Sequence, residues 1–280
     1  MLLFYNFITF IQKYNMRILD FYIFSNLHVA LATYFLVKLT LVQIGISENK
    51  TASFVFFSTL VSYNFIRFIR LKDITNYYNS WIIQNRHLLY LLNGIGVIGL
   101  FYYSTSLEFG SLLILIPFTL ATIFYSFPFQ KYSLRNIPYL KIFLIAFSWA
   151  GITVLLPLIQ NFIIPRDIDY IVFIQRFLFV LFITIPFDIR DLDYDTSKLR
   201  TLPQQLGIKK TKIASTLLII LFVLLELIKP TDEQSLISKI SIAFLSFLFV
   251  LKATKNQSKY YSTLFVESLP IAWYYFYIYF

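Results

Sequence analysis

The stretch Pro186-Phe-Asp-Ile-Arg-Asp-Leu-Asp-Tyr-Asp195 carries four of the fourteen acidic residues of the chain within eight positions. Asp188, Asp191 and Asp195 follow the spacing i, i+3, i+7, which predicts that they share one face of a helix, whereas Asp193 points elsewhere. Three carboxylates on one face repel each other at neutral pH unless a divalent cation or basic side chains neutralise them. This cluster is therefore the strongest indication of chemistry in the sequence.

Basic residues follow the acidic cluster directly, at Lys198 and Arg200. Carboxylates that bind Mg²⁺, next to cations that bind phosphate oxygens, make a site for a metal-bound diphosphate. The alternative is a solvated loop at a helix end, in which the aspartates pair with Arg190 and Lys198. The residues of this stretch alone leave both interpretations open.

The composition outside this stretch is that of a membrane protein. Of the 280 residues, 58% are hydrophobic and only 14% are charged, and the mean hydropathy is +0.70. A soluble domain carries about a quarter of charged residues. Apolar segments of about 18 or more residues can each cross a bilayer as a helix. Because the chain has no cysteine, disulfides and cysteine-ligated metals are excluded.

Polar breaks divide the sequence into about nine candidate transmembrane helices. The breaks contain turn-forming or charged residues, such as those around Pro165 and Pro230. We expect an all-α polytopic membrane protein that forms a single helical domain over residues 1–280. The predicted spans lie near residues 18–45, 51–71, 87–105, 108–128, 137–160, 168–188, 211–229, 236–253 and 261–280.

The basic residues predict the orientation of the chain. Seventeen of the 24 Lys and Arg residues lie at the amino-terminal end or in alternate loops, which places these parts in the cytoplasm by the positive-inside rule. The net charge of +10 thus has a topological explanation, and no nucleic-acid partner is expected. Residues 1–10 are apolar without a basic leader, so they are expected to remain as a helix. The expected location is a membrane such as the bacterial inner membrane, with a cytoplasmic amino terminus.

A known family motif resembles the acidic stretch and the residues that follow it. Asp191-Leu-Asp-Tyr-Asp195, followed by Arg200-Thr-Leu-Pro203 and Leu206-Gly207, is similar to the second aspartate motif of the UbiA-type intramembrane prenyltransferases. That motif contains DxxxD, a glycine, Lys/Arg-Thr-Leu-Pro and Leu-Gly. The chain lacks the glycine, and the segment between the second aspartate and the Arg-Thr pair is one residue short.

The resemblance implies an enzyme that transfers a prenyl group from a prenyl diphosphate to a lipophilic acceptor in the bilayer. It implies a helical bundle around a central cavity open to the cytoplasm, and Mg²⁺ as the cofactor. The ligands of the metal would be Asp188, Asp191 and Asp195, and Asp191 and Asp195 would be catalytic. The diphosphate would contact the following residues: Asn64, Arg67, Lys131, Lys198 and Arg200.

The first aspartate motif of the family is degenerate in this chain. The family has Asn-Asp-x-x-Asp-x-x-x-Asp at the end of the second span, where this sequence keeps Asn64 but has Phe65, Phe68 and Lys72 in place of the carboxylates. Arg67 and its basic neighbours could bind diphosphate oxygens directly. The alternative hypothesis is therefore a catalytically silent relative that binds a lipid diphosphate or a membrane partner.

Three further charged residues lie within predicted spans. Lys141 stands one turn inside the fifth span, where it reaches either the same site or the lipid headgroups. Glu226 and Glu267 are intramembrane carboxylates and hence functional candidates. Their distance from the acidic cluster in the predicted topology favours structural pairing for both.

Overall fold

The computed structural model of the protein describes residues 18–69, 77–126, 140–195, 199–229 and 232–280. Within these residues the regular secondary structure is entirely helical. The helices, in chain order, are α1 (Ile18–Phe24), α2 (Leu27–Gln43), α3 (Lys50–Ile69), α4 (Tyr77–Gln84), α5 (Arg86–Ser104), α6 (Phe109–Ser126), α7 (Leu140–Ala150), α8 (Leu156–Gln160), α9 (Asp167–Arg190), α10 (Leu202–Leu224), α11 (Glu233–Lys252) and α12 (Leu269–Tyr279).

The helices confirm an integral membrane protein of the all-α class. Among the described residues, six helical segments are long and apolar enough to cross a membrane, and the bent pair α1–α2 raises this number to seven. The two other predicted spans are also helical. One is the shorter apolar helix α6, and the other is α12 with the π-helix before it.

The first predicted span is broken near its amino-terminal end. Helices α1 and α2 meet at an angle of 60°. Asn26 lies at the break with a φ of 67°, in the left-handed region that asparagine tolerates better than most residues. The break carries polar groups into the bundle, which bears on the site described below.

Helix α9 forms the centre of the bundle and packs closely against α7 and α10. Its buried face meets an aromatic cluster in which Phe179 and Phe182 contact Phe222 of α10, and Phe179 contacts Trp273 of α12. These side chains are almost completely buried. Large rings in close contact hold the three helices at defined distances, since each contributes extensive van der Waals contact.

Two charged groups far from the acidic cluster are tied into this core. Arg176 donates to Leu36 O over 3.0 Å, and its guanidinium lies over the Trp273 ring at 4.8 Å. Glu226 accepts from Lys239 over 2.6 Å and from Gln175 over 2.9 Å. Burial of a charge is tolerated when hydrogen bonds or an opposite charge compensate for the lost water. The structural pairing expected for Glu226 is therefore what the structure contains.

Candidate functional site

The acidic stretch does not lie on a single helix. Helix α9 ends at Arg190, and a 3₁₀ turn covers Asp191–Asp193. The backbone N–H of Asp195 still donates to Asp191 O over 2.8 Å, which adds a further turn beyond the helix. This geometry groups Asp195 with Asp188, whereas the Asp191 carboxylate lies nearby with a cationic partner of its own. The expected stripe of three carboxylates is therefore reduced to a pair.

Lys141 of α7 joins this pair. Its Nζ donates to Asp188 Oδ1 over 2.8 Å and to Asp195 Oδ2 over 3.1 Å. All three side chains are largely buried, with at most 14% of the side-chain surface exposed. Because the lysine neutralises two carboxylates at close range in a low-dielectric setting, it holds the end of α9 against α7. The sequence left the role of Lys141 open, and the structure places it in the site.

The other two aspartates have separate cationic partners. Arg190 binds Asp191 through two hydrogen bonds, from Nε over 2.8 Å and from Nη2 over 3.0 Å. Asp193 pairs with Lys255 over 2.7 Å at an exposed position. Asp193 thus points away from Asp188 and Asp195, as the spacing predicts. Asp191 lies near these two residues, and Arg190 neutralises its charge.

The Arg-Thr-Leu-Pro segment forms the start of α10 and supports the acidic cluster. Thr201 N donates to Gln204 Oε1 over 3.0 Å, and Gln204 Nε2 donates to Asp195 O over 3.0 Å. Pro203 stands in the first turn of the helix, where its missing N–H costs nothing. Gly207 has a φ of 73°, which glycine adopts without strain, and it kinks α10. The motif therefore positions the backbone of Asp195.

The predicted diphosphate ligands on the cytoplasmic side are described only in part. Lys131 and Lys198 lie outside the residues that the structure describes. Arg200 is exposed and has a φ of 43° at the entry to α10. It lies five residues beyond Asp195 along the chain, and its role in binding stays a prediction.

Asn64 and Arg67 form hydrogen bonds with the residues at the break between α1 and α2. Asn26 Nδ2 donates to Asn64 Oδ1 over 2.8 Å, and Arg67 Nη2 donates to Asn26 Oδ1 over 2.6 Å. Arg67 Nη1 also donates to the carbonyl of Phe24, at the end of α1. These bonds satisfy backbone and side-chain groups that the break exposes inside the bundle. Asn64 Nδ2 is buried and makes no hydrogen bond within the described parts of the chain.

Glu267 lies nearer to the acidic cluster than the sequence predicted. It lies between the π-helix Tyr261–Val266 and α12, and it is within electrostatic range of both Arg67 and Arg190. Its side chain is half-buried and forms no hydrogen bond or ion pair with another described residue. The expectation of a structural pairing remote from the acidic cluster is therefore wrong for Glu267. The cause is the packing of the carboxy-terminal segment against α9, which no local pattern indicates.

The acidic residues fit a magnesium ion only in part. Asp188 Oδ2 is buried without a hydrogen-bond partner among the described residues, and a carboxylate oxygen in this state suits a hard cation. However, the opposite oxygen binds Lys141, and Asp191 binds Arg190. No group of three acidic or histidine side chains in the described ranges lies close enough together to hold a metal. The arrangement suits at most one ion next to the lysine.

An apolar pocket of about 340 Å³ lies between α3, α6 and α7. Leu144 and Ile145 of its wall follow Lys141 by three and four residues, so they share the face of α7 that carries the lysine. The side chains of Phe54, Phe118 and Trp149 line its buried part. Hydroxyl groups from Ser58, Ser62, Tyr63, Thr122 and Ser148 also border it.

The fold is similar to that of digeranylgeranylglyceryl phosphate synthase, a UbiA-family membrane prenyltransferase. The TM-score is 0.56 and the sequence identity is 16%, and the match covers 89% of this chain and 93% of that enzyme. No protein-family model and no curated protein matches the sequence. At this level of identity the likeness establishes the fold, and the chemistry depends on the residues of the site.

Proposed function

We propose that the protein transfers a prenyl group from a prenyl diphosphate to a lipophilic acceptor inside the membrane. The observation that carries the proposal is the bridge of Lys141 to Asp188 and Asp195, together with the apolar pocket that α7 also borders. The charged cluster suits the diphosphate end of a prenyl diphosphate, and the pocket lined by apolar side chains suits its hydrocarbon end. The fold of a UbiA-family prenyltransferase supports the same conclusion.

The diphosphate would lie between the acidic cluster and the basic residues assigned to it. Asn64 Nδ2 is buried without a hydrogen-bond partner among the described residues and would donate to a phosphate oxygen. Arg67 and Arg190, both within electrostatic range of Glu267, would supply positive charge. Cations and N–H groups in a water-poor site stabilise negative charge strongly. The remaining proposed ligands of the diphosphate are Lys131, Lys198 and Arg200.

Asp188 and Asp195 would hold Mg²⁺ beside Lys141, with Asp191 and Asp195 as the catalytic pair; the ligand set of Asp188, Asp191 and Asp195 that the resemblance implies would need Asp191 to leave Arg190. When bound, the ion would neutralise charge on the leaving diphosphate. Lys141 would keep Asp188 and Asp195 together and would add positive charge next to the breaking bond. Its contact with both carboxylates supports this positioning role.

In the proposed reaction the allylic C–O bond breaks and its electron pair leaves with the diphosphate. The acceptor then forms a bond to the same carbon and loses a proton. Tyr63 and Trp149, which are joined by a hydrogen bond of 3.2 Å, border the pocket and present aromatic surface to a developing carbocation. The apolar walls would exclude water, which would otherwise capture the cation.

The proposal places the site on the cytoplasmic side of the membrane. The distribution of basic residues supports a cytoplasmic amino terminus and a location in a bacterial inner membrane. We further propose one domain of nine spans around a central cavity, in which α6 and α12 cross the bilayer although both are short.

The test is binding and turnover of geranylgeranyl diphosphate by the purified protein, with and without Mg²⁺. We expect Asp191→Ala and Asp195→Ala to abolish Mg²⁺-dependent turnover. Asp193→Ala is the matched control, since Asp193 pairs with an exposed lysine outside the site. Unchanged binding and turnover in the first two variants would contradict the proposal.

A second candidate function is a catalytically silent protein that binds a lipid diphosphate or a membrane partner. The engagement of Asn64 and Arg67 in the helix break favours it, as does the lysine between Asp188 and Asp195. This candidate predicts that geranylgeranyl diphosphate binds and is not converted. Release of diphosphate by the wild-type protein would exclude it.

A further inference from the structure

Phe118, which lines the pocket, lies in direct contact with Gly151 behind it. Gly151 begins the π-helix Gly151–Leu155 that links α7 to α8. A side chain at Gly151 would overlap the ring of Phe118, and Phe118 is 4% exposed. The ring therefore occupies the space that a Cβ atom at residue 151 would need.

The contact lies far from the charged cluster along the same helix. Gly151 follows Lys141 by ten residues, which corresponds to about 15 Å along a helix. The pocket wall extends between these points through Leu144, Ile145 and Ser148. An apolar chain whose charged end binds near Lys141 would meet the Phe118 ring after about this length.

The π-helix that begins at Gly151 is a second sign of a functional position. Wide turns of this kind occur mostly as single interruptions of α-helices, frequently at functional sites. Here the turn begins at the one residue of α7 and its extension that has no side chain, and the Phe118 ring fills the resulting gap. The ring also contacts Phe147 on the lipid-facing side, with 5.0 Å between ring centroids.

We propose that Phe118, seated against Gly151, determines the length of the prenyl chain that the pocket accepts. This inference rests on the proposed function, because it assigns the pocket to the prenyl chain. A smaller side chain at residue 118 widens the pocket at the level of Gly151 and gives a longer chain room to pass. A side chain at residue 151 pushes the ring into the pocket and narrows it.

The experiment measures dissociation constants of farnesyl and geranylgeranyl diphosphate for the purified protein in detergent. We expect Phe118→Leu to shift the ratio of the two constants towards the longer chain by about tenfold, the scale of hydrophobic-pocket selectivity. We expect Gly151→Ala to shift the ratio towards the shorter chain. The two changes act in opposite directions, so general destabilisation cannot imitate both.

Two matched controls separate pocket length from general packing. Phe147→Leu removes a ring that contacts Phe118 and does not line the pocket. Gly94→Ala adds a methyl group where no atom lies within 4 Å. Neither control should change the ratio, and the midpoint of thermal unfolding reports folding for every variant.

The outcomes distinguish this inference from the proposed function. If the wild-type protein binds neither diphosphate, the proposed function fails and the inference fails with it. If the wild-type protein binds them and folded Phe118→Leu and Gly151→Ala variants keep its ratio, only the inference is overturned. If Phe118→Leu does not fold, Gly151→Ala decides the question alone.

Discussion

The Nζ of Lys141 lies 2.8 Å from Oδ1 of Asp188, although 46 residues separate them along the chain. The same ammonium reaches Asp195, so one lysine joins two carboxylates of the acidic stretch. A metal ion or a substrate at this site must therefore bind next to a cation that the protein itself supplies. This relationship leads to the first prediction.

Replacement of Lys141 by methionine should leave Asp188 and Asp195 without their shared cation. We expect a loss of about 3 kcal/mol in the free energy of unfolding, since a buried charge without its partner is costly. Addition of Mg²⁺ should raise the unfolding midpoint of this variant more than that of the wild type. Lys255→Met is the control, because it removes an exposed partner of Asp193. Equal responses of both variants to Mg²⁺ would refute the prediction.

Replacement of Arg67 by methionine should loosen the break between α1 and α2. The lost donors bind Phe24 O and Asn26 Oδ1, and hydrogen bonds from charged groups contribute about 2 kcal/mol each. Denaturant unfolding in detergent measures the loss. Binding of inorganic diphosphate to the same variant shows whether Arg67 also contacts substrate. A variant as stable as the wild type would show that the hydrogen bonds from Arg67 to Phe24 O and Asn26 Oδ1 contribute nothing to stability.

Replacement of Glu267 by glutamine should tighten the binding of inorganic diphosphate. The carboxylate lies near Arg67 and Arg190, so its removal leaves the two guanidinium groups more attractive to an anion. At alkaline pH, where the carboxyl group is ionised, we expect a gain on the order of fivefold, equivalent to about 1 kcal/mol of Coulomb energy. Titration calorimetry at fixed ionic strength measures it. Glu233→Gln, at the start of α11 on the opposite side of the predicted bilayer, is the matched control. Weaker binding in Glu267→Gln would show that the carboxylate assists the anion instead.

Replacement of Glu226 by glutamine should reduce stability without any effect on diphosphate binding. The change leaves Lys239 buried without its opposite charge, which costs about 3 kcal/mol or more. The double variant Glu226→Gln/Lys239→Met should be more stable than the sum of the single changes implies. The free energies of unfolding of the wild type, the two single variants and the double variant form a double-mutant cycle that measures the interaction. Additive losses would mean that the pair does not interact.

The sequence was sufficient to predict the fold class and the importance of the acidic stretch. Long apolar segments can satisfy their backbone groups in lipid only as helices, so an all-α membrane protein follows from composition and length. The direction of the Asp193 side chain, away from the site, also follows from the helical spacing of the aspartates. The end of α9 at Arg190 does not, because the pattern of aspartates continues past the residue at which the helix stops.

The site itself depends on contacts between distant segments. Lys141 comes from α7 and Asp188 from α9, while Glu267 comes from the segment before α12 and lies within electrostatic range of Arg67 of α3. Helical periodicity reports which residues share a face of one helix, and it carries no information about which helices become neighbours. The contact between Phe118 and Gly151 joins two different helices, so periodicity could not predict it either.

The amino-acid sequence by itself thus determined a helical membrane protein with one acidic motif and one degenerate motif. Only the tertiary structure decided that a lysine lies between two of the aspartates, that Asn64 and Arg67 hold a helix break, and that Glu267 lies within electrostatic range of Arg67 and Arg190. The physical reason is that hydropathy and helix formation are local properties of the chain. The neutralisation of buried charges, in contrast, depends on which side chains the packed helices bring within a few ångströms of each other.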